Sequence, residues 1–589
     1  MNSALHMRQR RNTIGIIFLV VFVGIAARLV FIQGVQGSEL AAEARENRLR
    51  TYTITAPRGD IIDIDGELLA TSTVRYNVAV NQKKVAGFIL KDDDGTVIDT
   101  GASAASDLLA PILGRDPAEL GAQMVGDATW VYLKKGIEPS VWREIRALGI
   151  VGIEPERVTD RLYPNGNTAG NLIGYVGVDG EPLAGIEYRF NDALTGTDGS
   201  ETVEIGAGGQ VIPTGTNDTV ESVPGGTVQL TINRDIQFAA QQAADETTAK
   251  YGAQWTGVAV QDLTTGGLVV LAESGMVDPA NPTDTPAAAR NTVRSVSSPY
   301  EPGSTGKLVT ISAAINEGLV DPLSTLEVST PQTIDGQTFK DPVEHPTQIM
   351  TTAGILAESS NVGTVLIGNH MSDAERYEYI RSFGFGSLTG IELAGESAGI
   401  LYPSDQWDGR TRMATMFGQG YAVTLVQNVA MVAAIGNGGV YQSPYIVERT
   451  IAADGTATVP ERAETHQVIS PEAAETMLSM MEGVVHEDST GPKAAIEGYR
   501  VAGKTGTAQT ADASGALTQT VANFVGVVPA DNPRFAVAVV VYKPQSGFYG
   551  GTIAAPIFHD IAEFALHTYG VEPSSGEAPL FPWIIGEDE

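Results

Sequence analysis

The chain has 589 residues, 43% hydrophobic and 18% charged, a globular balance in a length that calls for several domains at about 150 residues each. Its net charge of −33, from 37 Lys and Arg against 70 Asp and Glu, argues against a nucleic-acid partner. Such binding rests on clustered basic residues, and no basic stripe interleaved with aromatics is present. The absence of cysteine excludes disulfides, thiolate zinc sites and cysteine nucleophiles.

Arg8, Arg10 and Arg11 precede an apolar run from Ile14 to Ile32, interrupted by Arg28 near its far end. About 20 apolar residues span a bilayer as a helix, and a terminal Arg can snorkel to the interface. Positive residues before the run place 1–12 in the cytoplasm and everything after Gln33 outside. The alternative is a cleaved signal peptide. Ala26-Ala27 is a poor cleavage signature and the apolar run continues past it, so 13–33 reads as a retained single-pass membrane anchor.

Beyond the anchor, Glu39 to Arg50 reads as a charged helix. Short strands and turns follow to about residue 235, among them the turn Asp65-Gly66 and a loop at Gly206-Ala207-Gly208-Gly209. The texture changes near Thr231. Ile236–Lys250 predicts a helix, and Gly257–Leu263 with Leu268–Ala272 predicts a hairpin through Thr264-Thr265-Gly266-Gly267. Phe535–Tyr542 reads as a buried strand and Ile557–Tyr569 as a closing helix. Strands at both ends of a long region with helices between predict one large domain mixing α and β structure. The domain reading is 34–235, 236–571 and a C-terminal tail 572–589.

Three segments could carry chemistry. In Glu301-Pro302-Gly303-Ser304-Thr305-Gly306-Lys307, the Pro-Gly pair breaks the chain and a helical pattern follows. Ser304 and Lys307 then share a face at i,i+3, as a nucleophile and its base require. Among all the lysines, only Lys307 has a serine three residues earlier. To act as a base it must be neutral, which burial or a nearby cation achieves. The competing reading is a capping Ser beside an exposed Lys. Ser359-Ser360-Asn361 offers a hydroxyl to relay a proton and an amide to hold a substrate, although alone it is a common turn. Lys504-Thr505-Gly506-Thr507 on a strand offers a cation and two hydroxyls to a carboxylate, with Gly506 leaving room for a ligand backbone.

Gly498 to Thr505 also spells the phosphate-loop pattern G-x-x-x-x-G-K-[ST]. That loop needs a buried strand before it and a helix after it. Here a polar stretch with Asp488-Ser489-Thr490-Gly491-Pro492 precedes, and a loop holding Gly515 follows. The phosphate-loop reading is set aside. The seven histidines form no His-Glu-x-x-His pair, and no metal or cofactor is called for.

In this order the three segments resemble the Ser-x-x-Lys, Ser-x-Asn and Lys-Thr-Gly set of penicillin-binding proteins and serine β-lactamases. Arg58-Gly59-Asp60-Ile61-Ile62-Asp63 and Gly185-Ile186-Glu187-Tyr188 resemble pedestal motifs of class B penicillin-binding proteins. Phe383-Gly384-Phe385-Gly386, Gly395 to Gly399, Gly418-Gln419-Gly420-Tyr421 and Phe524-Val525-Gly526 are most similar to the division-specific branch. The segment between Val85 and Asp127 looks expanded relative to that family.

The resemblance implies an α+β fold. Its parts would be one transmembrane helix, an extended β-rich pedestal of the dimerisation type, and a transpeptidase domain with a central antiparallel sheet flanked by helices. It implies a D,D-transpeptidase that cross-links peptidoglycan stem peptides through a Ser304 acyl-enzyme in septal wall synthesis. Lys307 would be the base, Ser359 the proton relay tuned by Lys504, and Asn361 the holder of the donor peptide. Thr505, Gly506 and Thr507 would bind its terminal carboxylate. β-Lactams would acylate the same serine. Expected partners are peptidoglycan stem peptides and a polytopic glycan polymerase among the division membrane proteins. The alternatives are an elongation-type transpeptidase, a D,D-carboxypeptidase or β-lactamase, and a non-catalytic β-lactam sensor or division scaffold.

Overall fold

The computed structural model describes residues 2–206, 211–510 and 518–586. The loop readings at Ala207 to Gly209 and at Gly515 lie outside them. The chain forms two units, one of 1–57, 74–160 and 196–224, the other of 58–73, 161–195 and 225–589.

The first unit opens with a helix, Asn2–Gly34. Its His6–Gly34 portion has a mean hydropathy of 2.7 and is long and apolar enough to cross a membrane. A second helix, Gly37–Glu46, ends earlier than the sequence pattern suggests. The β-branched and aromatic run Thr51-Tyr52-Thr53-Ile54 draws the chain into a strand, Leu49–Ile54, which pairs antiparallel with Gly199–Glu204. The expanded segment builds a packed head. Helices Gly101–Leu113 and Pro117–Met124 contribute Leu109, Leu113, Leu120 and Met124 to a core shared with Val78, Val80 and Leu133 of two paired strands. Asp116 caps the second of these helices, accepting from the Ala118 and Glu119 amides, with Pro117 in its first turn.

The second unit is built on a five-stranded antiparallel sheet. Its order is Leu268–Glu273, Trp255–Asp262, Phe535–Tyr542, Gln519–Val528, Ala502–Thr510. Both faces are covered, so the central strands read as unbroken apolar runs. Side chains alternate between faces. Val258, Val260, Val537 and Val539 pack with Ile236 and Ala240 of helix Arg234–Tyr251 and Phe558 and Ile561 of helix Ala555–Thr568. Ala259, Ala538 and Val540 share the other core with Val429 and Val432 of helix Leu425–Gly436. The predicted hairpin, buried strand and flanking helices are all present, and Asn233 caps the first helix through the Asp235 and Ile236 amides.

The two pedestal-type motifs meet within this unit. Glu187, fully buried, receives Arg58 Nε at 2.5 Å and Arg161 Nε at 2.7 Å. Asp63 accepts the Asp65 and Glu67 amides with one oxygen and the Arg234 amide with the other. The residues after Val571 fold back. Trp583 C=O accepts from the Thr351 amide, and the Ile585 amide donates to Ile349 C=O, adding a strand-like edge beside Gln348–Thr351.

Candidate active site

Pro302 and Gly303 turn the chain into a short 3-10 segment, Gly303–Gly306, continuous with the α-helix Lys307–Asn316. Gly303, Thr305, Gly306 and Lys307 are buried, while Ser304 is partly exposed. The turn is held from two sides. The Gly303 amide donates to Gly418 C=O, and the Gly420 amide donates to a Glu301 carboxylate oxygen at 2.8 Å. Gly418 sits at φ 80°, and a Cβ there would lie 1.9 Å from Gly303 O, so only glycine permits this approach. From the sheet, buried Asn523 donates through Nδ2 to Pro302 C=O at 3.0 Å.

Lys307 is fully buried. Its amine donates to both oxygens of Ser359, the backbone carbonyl and, at 3.2 Å, the hydroxyl. Burial pushes its pKa well below the usual lysine range, the charge of Lys504 pushes it further down, and Asp341 opposes both. Among the described residues, no hydrogen bond joins Lys307 to Ser304 Oγ. Catalytic hydrogen bonds in free enzymes are often long and tighten with substrate.

Ser359 lies between helices Thr352–Ala357 and Asn361–Gly368. It adopts φ 58°, a left-handed conformation that costs a non-glycine residue about 1–3 kcal/mol. In that conformation both Ser359 oxygens reach one amine. Ser360 caps the second helix through the Gly363 amide at 2.8 Å, and Asn361 donates to Lys340 C=O at 2.9 Å.

Lys504, Thr505, Gly506 and Thr507 lie on the edge strand Ala502–Thr510. Lys504 is fully buried, and burial lowers its pKa to about 7 against an upward pull from Glu358. Its amine donates to the Thr505 carbonyl at 3.2 Å and hydroxyl at 3.3 Å. Gly506 is required by the protein itself, since a Cβ there would lie 1.9 Å from Asn523 Oδ1 on the neighbouring strand. Thr507 is partly exposed and its hydroxyl accepts from the Gly550 amide at 3.3 Å. Gly503, Lys504 and Thr505 lie within the strand, which continues to Thr510, so the strand-to-helix geometry a phosphate loop needs is not there.

The structure thus brings the second and third segments to the first. Lys307 is bonded to Ser359, and Lys504 acts electrostatically on Lys307. The Thr505 hydroxyl donates to Thr490 Oγ1 at 3.1 Å, while Ser489 and Thr490 both donate to Ala357 C=O, next to the Ser359 turn. Sequence reasoning missed Asp341, Ser489, Thr490 and Asn523. Asp341 is one acidic residue among 70, and no local pattern marks any of the four.

A buried lysine at i+3 from a partly exposed serine, bracketed by a second serine and a lysine-bearing strand, defines a serine acyltransferase of the Ser-x-x-Lys class. Comparison with known proteins agrees. The family model described as the penicillin binding protein transpeptidase domain matches residues 256–563, and that of the penicillin-binding protein dimerisation domain matches 53–230. The penicillin-binding protein PbpB of Mycolicibacterium smegmatis is 36% identical over 97% of this chain and 92% of its own length. The peptidoglycan D,D-transpeptidase FtsI of Escherichia coli is 30% identical over 95% of this chain and 91% of its own. Among solved structures, a peptidoglycan synthetase from Bifidobacterium adolescentis matches with TM-score 0.71 and 37% identity, covering 91% of this chain and all of that one. Penicillin binding protein 3 of Mycobacterium tuberculosis complexed with aztreonam matches with TM-score 0.68 and 30% identity, over 89% and 98%. The chain belongs to the penicillin-binding proteins of class B, division type, and is a peptidoglycan transpeptidase.

Proposed function

We propose that Ser304 is the acylated nucleophile and that the chain cross-links stem peptides during septal wall synthesis. The observation that carries the reading is Lys307, three residues on from Ser304, whose fully buried amine has both Ser359 oxygens in reach. A neutral amine has two N–H bonds and one lone pair. With its N–H bonds given to Ser359, the lone pair is free for the Ser304 proton.

Ser304 Oγ then attacks the penultimate D-Ala carbonyl, and the negative charge on the tetrahedral oxygen is met by the Ser304 and Thr507 amides. One such donor is worth about 3 kcal/mol in other acyl-transfer enzymes. The C–N bond breaks. The proton held by Lys307 passes through Ser359 to the leaving amine, so terminal D-Ala departs neutral at nitrogen and Ser304 is left as an ester. An acceptor strand's amine attacks that ester, a new amide forms, and the proton returns to Ser304. Asn361 holds the donor backbone. Thr505 and Thr507 receive the terminal carboxylate, Lys504 tunes the Ser359 relay electrostatically, and Gly506 keeps the strand close to Asn523. A β-lactam enters by the same first step and stays as the ester.

The helix His6–Gly34 anchors the protein with its N-terminus in the cytoplasm, by the excess of Arg8, Arg10 and Arg11 before the span. A polytopic glycan polymerase is the partner that would supply strands to cross-link. The domain division is anchor 13–33, pedestal 34–235 and transpeptidase domain 236–571.

The test is labelling of the full-length protein in detergent by a fluorescent penicillin, with the adduct located by peptide mass. Slowly released label on the Ser304 peptide, absent in Ser304→Ala, is the expected result. Rapid turnover of the label would point to a hydrolase, and label on another residue would sink the assignment. Depletion in cells separates septal from elongation roles: filaments support the first, swollen or rounded cells the second.

A further inference from the structure

Asp341 lies outside the three motifs and is buried, with 4% of its side chain exposed. Its oxygens are fully engaged. Oδ1 accepts the Val362 amide at 2.9 Å, and Oδ2 accepts the Ser360 hydroxyl at 2.7 Å. The preceding residue contributes too, since Lys340 C=O accepts from Asn361 Nδ2 at 2.9 Å. Two consecutive residues therefore hold three consecutive residues of the Ser359-Ser360-Asn361-Val362 stretch. A carboxylate accepting the first-turn amide of helix Asn361–Gly368 also suits the positive end of that helix.

The titratable groups facing this carboxylate are His345, whose Nε2 lies 3.1 Å from Oδ2, and Lys307, on whose amine it acts. The His345 Nδ1 lies 2.7 Å from Pro346 C=O. Lys504 acts on Lys307 in the opposite sense, and Glu358 acts on Lys504.

We propose that Asp341 is a positioning residue for acylation: it fixes Ser360 and Val362, on either side of Asn361, and sets a negative charge against Lys307. The inference rests on Lys307 being the base. Two effects follow from one carboxylate. The hydrogen bonds keep Asn361 and the neighbouring Ser359 turn in place, and the charge keeps the buried amine basic enough to take a proton. Burial and Lys504 alone would drive Lys307 to a neutral but feebly basic amine.

The test is the second-order rate of acylation of the full-length protein by fluorescent penicillin, measured from pH 5 to pH 9. The proteins compared are wild type, Asp341→Asn, Asp341→Glu and His345→Gln. Asp341→Asn keeps the shape and removes the charge. It is expected to slow acylation tenfold or more and to move the acid limb to lower pH, because loss of the negative charge lowers the Lys307 pKa. His345→Gln leaves the carboxylate and is expected to keep both rate and limb within threefold of wild type. Asp341→Glu keeps the charge and displaces it, so the rate should fall with the limb in place. Should Asp341→Asn not fold, Asp341→Glu decides: a wild-type rate there overturns the positioning role. A folded Asp341→Asn whose profile superimposes on wild type overturns the inference, as does a limb that moves equally in His345→Gln. Ser304→Ala and Lys307→Ala controls keep the cases apart. If either retains label, the site reading fails. If both lose it and Asp341→Asn does not differ from wild type, only this inference fails.

Discussion

Two buried clusters in the same unit treat charge in opposite ways. At Glu187 the carboxylate is fully buried and matched by two guanidiniums, Arg58 and Arg161, with the Tyr163 hydroxyl donating at 3.3 Å. At the active site two amines, Lys307 and Lys504, are fully buried, and neither makes a salt bridge among the described residues. A buried charge that is paired holds a scaffold together. A buried amine that is left unpaired gives up its proton, which is the property a base needs. The first cluster explains why Arg58 and Glu187 carry the pedestal-type motifs, and the second is what the proposed activation of Ser304 requires.

The contrast is broken most directly at Lys307. Lys307→Met should lower the acylation rate about 10²–10⁴-fold, the usual worth of a positioned general base. It should also raise the melting temperature, because a buried amine is exchanged for an apolar side chain of similar length. Loss of activity together with loss of stability would mean that Lys307 is part of the scaffold instead. At the paired cluster the outcome reverses. Glu187→Ala strands the buried Arg161 guanidinium and the largely buried Arg58 and should cost about 3–5 kcal/mol in denaturant unfolding, while acylation per folded molecule stays at the wild-type rate.

These two clusters also mark what can be read from a sequence. Ser304 and Lys307 are visible because their relation is local: a chain break followed by helical spacing puts i and i+3 on one face. The strand Phe535–Tyr542 is visible because both of its faces are buried, which makes every position apolar. Glu187 could be named only through family resemblance, since its partners lie 129 and 26 residues away. Asp341, Thr490 and Asn523 gave no signal. Each acts through contacts whose partners are set by the tertiary fold, as in the bond from Asn523 to Pro302 across 221 residues. Gly506 was noticed for a different reason. Sequence reasoning left it open for a ligand backbone, whereas the structure places the Asn523 amide beneath it.

Lys504 sharpens the comparison through pH. Its pKa is about 7 in the folded protein, against roughly 10.4 for a free lysine. Below pH 7 both folded and unfolded states carry the proton, and the cost of burying the charge is felt in full. Above pH 7 the folded state releases the proton while the unfolded state keeps it, so stability rises with pH, by at most about 1.4 kcal/mol per unit. Lys504→Met lacks this term. Its melting temperature should exceed that of wild type most at or below pH 7, and the gap should narrow by pH 9. A constant gap would show that Lys504 keeps its proton through partners of its own.

The smallest effect concerns how the second motif is held from outside the pocket. Trp583 is half-buried on the returning C-terminal segment; its carbonyl receives the Thr351 amide and its ring meets His486 edge-on at 5.7 Å. Thr351 caps the helix Thr352–Ala357 that leads into Ser359, and His486 begins the stretch whose Ser489 and Thr490 bond to the end of that helix. The segment thus touches both ends of the support for Ser359 without entering the site. Trp583→Ala removes the ring and leaves the backbone bond, so it should cost about 1–2 kcal/mol, below the 3–5 kcal/mol of a fully buried aromatic. If the ring only adds stability, acylation of the folded variant will match wild type across temperature. If it steadies the Ser359 turn, acylation will fall well below the melting transition, and the C-terminal segment then belongs with the unpaired cluster as part of what holds Lys307 in its place.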